Sequence, residues 1–214
     1  MNKSFVAACL AACAVSASVE AGIFVYSSQE MTAGISSGGA GDEATYTGLD
    51  AWYGSRARSE FGFIQFASIG SSLQDNQFSL TGSAYVNASS PGYGGHDAYA
   101  SYELDFSVNE EAIATIYLDI GNEMPQGSNL SFALSGPNGS VYSAFGPDEI
   151  AFNEILTVGN YRMIALVWTI APVGGDFANE SWIWLSVNAV PVPAPGAAAV
   201  LGLWGVAARR RRSR

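Results

Sequence analysis

The stretch Tyr99-Ala-Ser-Tyr-Glu-Leu-Asp-Phe-Ser-Val108 alternates apolar and polar residues over most of its length. In an extended chain, successive side chains point to opposite sides, so the apolar residues from Tyr102 to Val108 share one side. The polar residues from Ser101 to Ser107 share the other. This pattern is typical of an antiparallel strand with one buried face and one solvated face.

Further short runs rich in β-branched and aromatic residues surround this stretch, and none has helical periodicity. Turn signals separate them, namely Ser135-Gly-Pro-Asn-Gly-Ser140 and Val158-Gly-Asn160. We interpret Ser36–Asp50 and Ser89–Gly95 as loops. The pattern predicts an all-β fold, a single antiparallel β-sandwich or jelly-roll-like domain over residues 22–190. The predicted strands are Ile23–Ser27, Phe61–Ser68, Asn76–Asn87, Ala98–Val108, Ala112–Ile120, Leu130–Ser135, Ser140–Phe145, Tyr161–Ile170 and Trp182–Ala189.

The first 21 residues predict a secretory signal peptide. Lys3 precedes an apolar run from Phe5 to Ala17, and small or branched residues precede a cleavage site between Ala21 and Gly22. An alternative is a lipobox ending at Cys13, although the apolar run continues past that cysteine. Both cysteines of the chain lie in this leader, so the expected mature chain has none and relies on its core instead of disulfides.

The last 24 residues combine three unlike elements. A proline-rich hinge, Val190-Pro-Val-Pro-Ala-Pro-Gly196, is followed by the apolar run AAAVLGLWGVAA and by the cluster Arg209-Arg-Arg-Arg-Ser-Arg214. Prolines hold the hinge extended, and terminal arginines follow the preference of basic residues for the cytoplasmic side. The 13 residues from Gly196 to Ala208 would span roughly 20 Å as a helix, which is short for a hydrocarbon core of ~30 Å.

This order resembles the PEP-CTERM sorting tail of bacterial envelope proteins, with Pro193-Ala194-Pro195 where that family most often has Pro-Glu-Pro. The resemblance implies export through the Sec translocon, a transient anchor in the inner membrane, and processing by a membrane-embedded exosortase. It also implies a final place at the cell surface or outside the cell, in association with extracellular polysaccharide. The implied recognition and retention residues are Val192, Pro193, Ala194, Pro195, Gly196, Arg209, Arg210, Arg211 and Arg212.

Charge is divided unevenly along the chain. Residues 22–190 contain 18 acidic residues and only three arginines, which gives a net charge of −15. An acidic surface of this kind repels nucleic-acid phosphates, so we expect no nucleic-acid partner. It favours solubility and attracts divalent cations or basic surfaces.

Catalytic candidates are few. His96 is the single histidine, in a Gly-rich segment that we interpret as a solvated loop, and no Gly-x-Ser-x-Gly motif accompanies it. Acidic pairs at Asp42-Glu43, Glu110-Glu111 and Asp148-Glu149 could bind Ca²⁺, but we interpret them as solvated acids in turns. The sequence therefore predicts a protein that is not an enzyme and has no resident cofactor, with calcium as an open possibility.

Aromatic pairs suggest an alternative function. A flat aromatic ring can stack on the apolar face of a sugar, and Trp52-Tyr53 in a Gly-rich context is the candidate for such contact. Trp182 and Trp184 share one side of a predicted strand, and we interpret them as core residues. The leading hypothesis is a non-enzymatic envelope protein sorted through its tail. The alternatives are a secreted carbohydrate-binding sandwich that uses calcium or aromatic residues, and a secreted hydrolase.

Overall fold

The computed structural model describes residues 22–37, 40–60, 63–88, 95–123, 127–171 and 177–193. All of its regular elements are β-strands, which confirms the all-β prediction. The strands are β1 (Phe24–Ser37), β2 (Ala40–Thr47), β3 (Trp52–Glu60), β4 (Phe63–Gln74), β5 (Gln77–Ala88), β6 (His96–Val108), β7 (Ala112–Asn122), β8 (Ser128–Gly136), β9 (Gly139–Phe145), β10 (Asp148–Leu156), β11 (Gly159–Ala171) and β12 (Phe177–Pro191).

The strands form two six-stranded antiparallel sheets that pack face to face as a sandwich. The first sheet has the order β2-β1-β6-β11-β8-β9, and the second has the order β10-β7-β12-β5-β4-β3. Sequence neighbours lie in different sheets at β2 and β3, at each step from β5 to β8, and at each step from β9 to β12. The chain therefore crosses repeatedly between the layers, and the two sheets share one core.

Side-chain alternation explains which face of each strand is buried. On β6, the apolar residues Tyr102, Leu104, Phe106 and Val108 are buried, as the opening stretch predicts. Phe106 meets the rings of Phe24 and Phe78 at centroid distances of 5.5 and 5.3 Å, which joins the two sheets. Each such side chain contributes about 1.5–3 kcal/mol by leaving water.

Both predicted turns are confirmed. Gly136 pairs with Gly139, so Pro137 and Asn138 form the tip of the β8–β9 hairpin. Gly139 has a φ of 108° and Gly159 a φ of 149°, conformations that side chains with a Cβ rarely adopt. Glycine is therefore required where these two turns close.

Three strands were not predicted, and the interpretation of Ser36–Asp50 as a loop is wrong. Within it, β2 pairs with β1 from Ala40↔Ser37 to Thr47↔Glu30. The missed strands β2, β3 and β10 all lie at the edges of their sheets. An edge strand can carry many charged and small residues because one side of it has no neighbouring strand. Its sequence therefore lacks the apolar alternation of a central strand.

No helix among the described residues is long and apolar enough to span a membrane. The predicted signal peptide, the apolar segment of the tail and the arginine cluster lie outside the described residues, as do residues 89–94 of the second predicted loop.

Candidate functional site

The structure separates the two residues of the Trp52-Tyr53 candidate pair. The Trp52 indole stacks on Tyr46 of β2 with a centroid distance of 5.1 Å and an interplanar angle of 9°, which closes the gap between the two sheets at this side. Tyr53, one residue later on β3, points outward from the second sheet and is 65% exposed. The pair therefore does not form one flat stacking surface, because Tyr53 is exposed on the outer face while Trp52 is half-buried against Tyr46.

The interpretation of Trp182 and Trp184 as core residues is wrong. Ile183, Leu185 and Val187 supply the buried face of β12, so both tryptophans lie on the outer face of the second sheet. Trp184 is 55% exposed. Trp182 donates its indole N–H to Asp119 Oδ1 at 3.1 Å and covers Gly121, where an added Cβ would lie 2.5 Å from its ring.

Tyr53 and Trp184 lie in the same row across the second sheet. Tyr53 pairs with Gly70, Gly70 with Thr81, and Thr81 with Trp184. Three strand spacings separate the two aromatic residues, which is roughly 14 Å between backbones. Gly70 has no side chain and is buried, with the Tyr53 ring lying close to it.

The surroundings of this row are rich in hydroxyl groups. An open depression of about 270 Å³ is lined by Trp52, Tyr53, Gly70, Ser71, Ser72, Ser79 and Thr81. A smaller one of about 170 Å³ adjoins it and reaches Ser186 of β12. In the next row, the hydroxyl groups of Ser68 and Ser83 are 2.9 Å apart. Hydroxyl groups both donate and accept hydrogen bonds, so this surface suits a ligand with the same dual capacity.

Charge is nearly absent from this part of the molecule. Among the outward positions that the structure describes on β3, β4, β5 and β12, only Glu180 is charged. The outer face of the first sheet is different, because its strands β1, β6 and β11 carry Glu30, Asp97, Glu103, Asp105 and Arg162. The low charge is a property of these four strands, because the neighbouring strands β7 and β10 place Asp119, which pairs with Trp184, and Glu149 on the same outer face.

Two of the acidic pairs lie in strands, so their interpretation as acids in turns is wrong. Asp42 forms an ion pair with Arg56 at 3.0 Å, and Glu43 accepts a hydrogen bond from the Tyr99 hydroxyl. Asp148 accepts a hydrogen bond from Tyr142, which raises the pKa of that tyrosine to about 12.

The geometry of these acids bears on the calcium possibility. Adjacent residues of a strand point to opposite faces, so neither pair offers two carboxylates to one ion. In the part of the chain that the structure describes, no three acidic, histidine or cysteine side chains are grouped as a metal site would need.

His96 lies in a strand and not in the solvated loop that the sequence predicts. It begins β6 and is 1% exposed, with its ring stacked on Phe63 at a centroid distance of 4.1 Å. Burial lowers the pKa of His96, and the charge of Arg58 acts in the same direction. The interpretation as a solvated loop residue is therefore wrong, because the side chain belongs to the packed end of the sandwich.

The predicted processing sites lie at the two ends of the domain. Gly22 and the pair Val192-Pro193 are described, while Ala21, Ala194–Gly196 and Arg209–Arg212 lie outside the described residues. The Ile23 carbonyl accepts a hydrogen bond from the Asn109 amide at 3.0 Å. The Val192 amide donates to the Glu111 carbonyl at 2.9 Å. Both ends therefore meet the short connection between β6 and β7, at one pole of the sandwich.

Sequence reasoning missed Trp184, although a usable signal was present. Trp182 and Trp184 share their strand side with Ser186 and Asn188, whereas the opposite side is aliphatic from Ile183 to Ala189. The polar members of the set indicate the solvent side. The row that joins Trp184 to Tyr53 had no such signal, because strand order and register bring together residues 131 positions apart in the sequence.

Comparison with known proteins identifies no family. No protein family matches the sequence, and no curated protein matches it. Among solved structures, the chain is similar to a GH31 alpha-xylosidase from Xanthomonas citri, with 8% sequence identity and a TM-score of 0.24. The similarity covers 82% of this chain and 28% of the length of that protein.

Proposed function

We propose that this chain is an exported, non-enzymatic protein of the bacterial cell envelope, which is sorted and processed through its C-terminal tail. A signal peptide would deliver it to the Sec translocon, and the apolar tail segment would hold it in the inner membrane as a short helix. An exosortase-type enzyme would then act near Val192–Gly196. The processed domain would reach the cell surface or the medium, where extracellular polysaccharide is its expected environment.

The observation that carries this proposal is that both ends of the domain lie at one pole. The Ile23 carbonyl and the Val192 amide are bonded to Asn109 and Glu111 of the same connection. A domain built in this way can follow its leader through the membrane and remain tethered by its tail without threading either end around the fold. The last strand ends at Pro191, and Val192 still donates its amide to the Glu111 carbonyl, so Pro193 is the first residue beyond that contact.

Strand order supports the finer assignment of a jelly roll. From β5 onward, the pairs β5-β12, β12-β7 and β7-β10 fill one sheet, and β6-β11, β11-β8 and β8-β9 fill the other. Eight strands distributed in this way have the double Greek-key arrangement of jelly rolls. The earlier strands β1–β4 extend both sheets at one side.

The terminal arginines would stop translocation. Moving one charged residue to the centre of a bilayer costs at least ~2.5–3.5 kcal/mol, so a cluster resists passage even behind a short helix. Deletion of Arg209–Arg214 should therefore allow the tail to cross the inner membrane completely, and unprocessed protein should appear in the medium. Western blots of membrane and medium fractions measure this. The matched control replaces Arg209–Arg212 with lysines, which keep the charge and should keep normal processing.

The hinge should respond in a different way. Replacement of Pro193 and Pro195 with alanine permits helix to extend into the hinge, because alanine retains the amide and the backbone freedom that proline lacks. Full-length protein should then accumulate in the inner membrane. If both the arginine deletion and this variant mature like the wild type, the tail is not a sorting signal.

A further inference from the structure

A polysaccharide-binding surface is indicated by the outer face of the second sheet, independently of the tail. Its central row runs from Tyr53 through Gly70 and Thr81 to Trp184. Both aromatic residues are more than half exposed, at 65% and 55%. No described segment of the chain covers them.

Two neighbours hold the aromatic side chains in position. A Cβ on Gly70 would lie 3.1 Å from Cδ2 of Tyr53, so the tyrosine ring leans across this glycine instead of standing away from the sheet. The Trp184 indole meets the Tyr117 ring edge to face, with a centroid distance of 6.0 Å and an angle of 82°. Rings that are supported before binding lose less conformational entropy when a ligand stacks on them.

The charge distribution selects the type of polymer. The domain carries −15 in total, yet Glu180 is the one charged side chain among the described outward positions of β3, β4, β5 and β12. Beyond Trp184, the nearest outward charge on β7 is Asp119, whose carboxylate accepts the Trp182 indole N–H. A cationic partner would gain more from the first sheet, where Glu30, Glu103 and Asp105 face outward. An anionic partner would find no basic side chain here and would be repelled by the domain as a whole.

The chemistry between the rings is that of a hydroxyl-bearing ligand. Ser72, Ser79 and Thr81 line the open depression of about 270 Å³ beside Tyr53. Their hydroxyl groups can exchange donor and acceptor roles with sugar hydroxyls. An interface with a protein partner usually has a contiguous apolar centre. Here the two aromatic residues are separated by polar and small residues.

We propose that the outer face of the second sheet binds a neutral polysaccharide, whose chain runs across the strands from Tyr53 to Trp184. The two rings stack on apolar faces of separate sugar units, and the serine and threonine hydroxyls bond the units between them. This site is distinct from the tail, so its test can fail while the sorting proposal stands.

The test uses the full-length chain in detergent and measures retardation in native gels that contain a soluble neutral glucan, hydroxyethyl cellulose or dextran. Parallel gels contain alginate as the anionic polymer and chitosan as the cationic one. We expect retardation by a neutral glucan, none by alginate, and no change on adding EDTA. Tyr53→Ala and Trp184→Ala should each weaken the neutral interaction by about tenfold, the effect of losing one aromatic stacking contact.

The matched control is Phe145→Ala. Phe145 is 85% exposed on β9 of the first sheet, so it tests the loss of an exposed aromatic ring elsewhere on the molecule. It should bind like the wild type, and Trp184→Phe should retain more affinity than Trp184→Ala. Equal urea midpoints show that the variants are folded. The proposal is overturned if no neutral glucan retards the wild type, or if the Tyr53 and Trp184 variants bind as well as the Phe145 control.

Discussion

At the scale of single residues, the burial of a side chain depends on its strand side more than on its own hydrophobicity. Trp184 has one of the largest side chains of β12, yet it faces solvent with Ser186 and Asn188 because Ile183 and Leu185 occupy the core side. The sequence contained this information. The sequence could not show which residue lies across the sheet from Trp184. Tyr53 is placed in the same row by the pairing registers of three pairs of neighbouring strands.

His96 offers a residue-scale test through pH. Burial lowers its pKa, Arg58 adds to that effect, and Glu60 and Asp97 oppose it. The folded-state pKa is therefore below the ordinary value of 6.5, and the unfolded chain binds the proton more readily. The stability that neutral His96 contributes is fully present above pH 6.5, the ordinary pKa. It is lost as the pH falls below that value towards the lower pKa of the folded state.

The variant His96→Phe should remove this pH-dependent part of the stability, because phenylalanine can stack on Phe63 without binding a proton. As the pH is lowered from about 7.5 to about 5, the urea midpoint of unfolding should decrease more for the wild type than for the variant. Parallel curves would contradict the burial of a neutral imidazole at this position.

At the scale of elements, the clearly alternating central strands were predictable, whereas three of the four edge strands, β2, β3 and β10, were not. Strands β6 and β11 alternate clearly because both neighbours and the opposite sheet constrain them. The edge strands β2 and β10 are acidic and only partly covered, so their sequences look like loops. Edge strands of this kind also discourage pairing with other chains, since charged side chains oppose sheet extension.

Strand β12 gives a direct test of side-chain alternation. Leu185→Ala removes a fully buried side chain and should lower the free energy of unfolding by roughly 2–5 kcal/mol. Its neighbour Ser186 faces outward, and Ser186→Ala should change stability by no more than about 0.5 kcal/mol. Urea denaturation of both variants measures the contrast. Similar losses for the two would mean that the register of β12, and with it the outer row ending at Trp184, is wrong.

At the scale of the whole molecule, the two ends of the domain and the outer face of the second sheet occupy different parts of the sandwich. The pole around Asn109–Glu111 carries both ends of the domain, and the outer face of the second sheet extends away from it along the strands. A domain tethered at that pole would leave this face open along its side. Local sequence patterns predicted the sandwich class, and the leader and the tail stay predictions. The location of the two ends and the composition of the outer face depend on long-range strand order.

The most direct test of the sorting account is the intact mass of the protein isolated from the cell surface and the medium. We expect an N-terminus at Gly22 without lipid, and a C-terminus within Val192–Gly196 that lacks the apolar segment and the arginines. A full-length tail in the exported protein, or a lipid on Cys13, would contradict it.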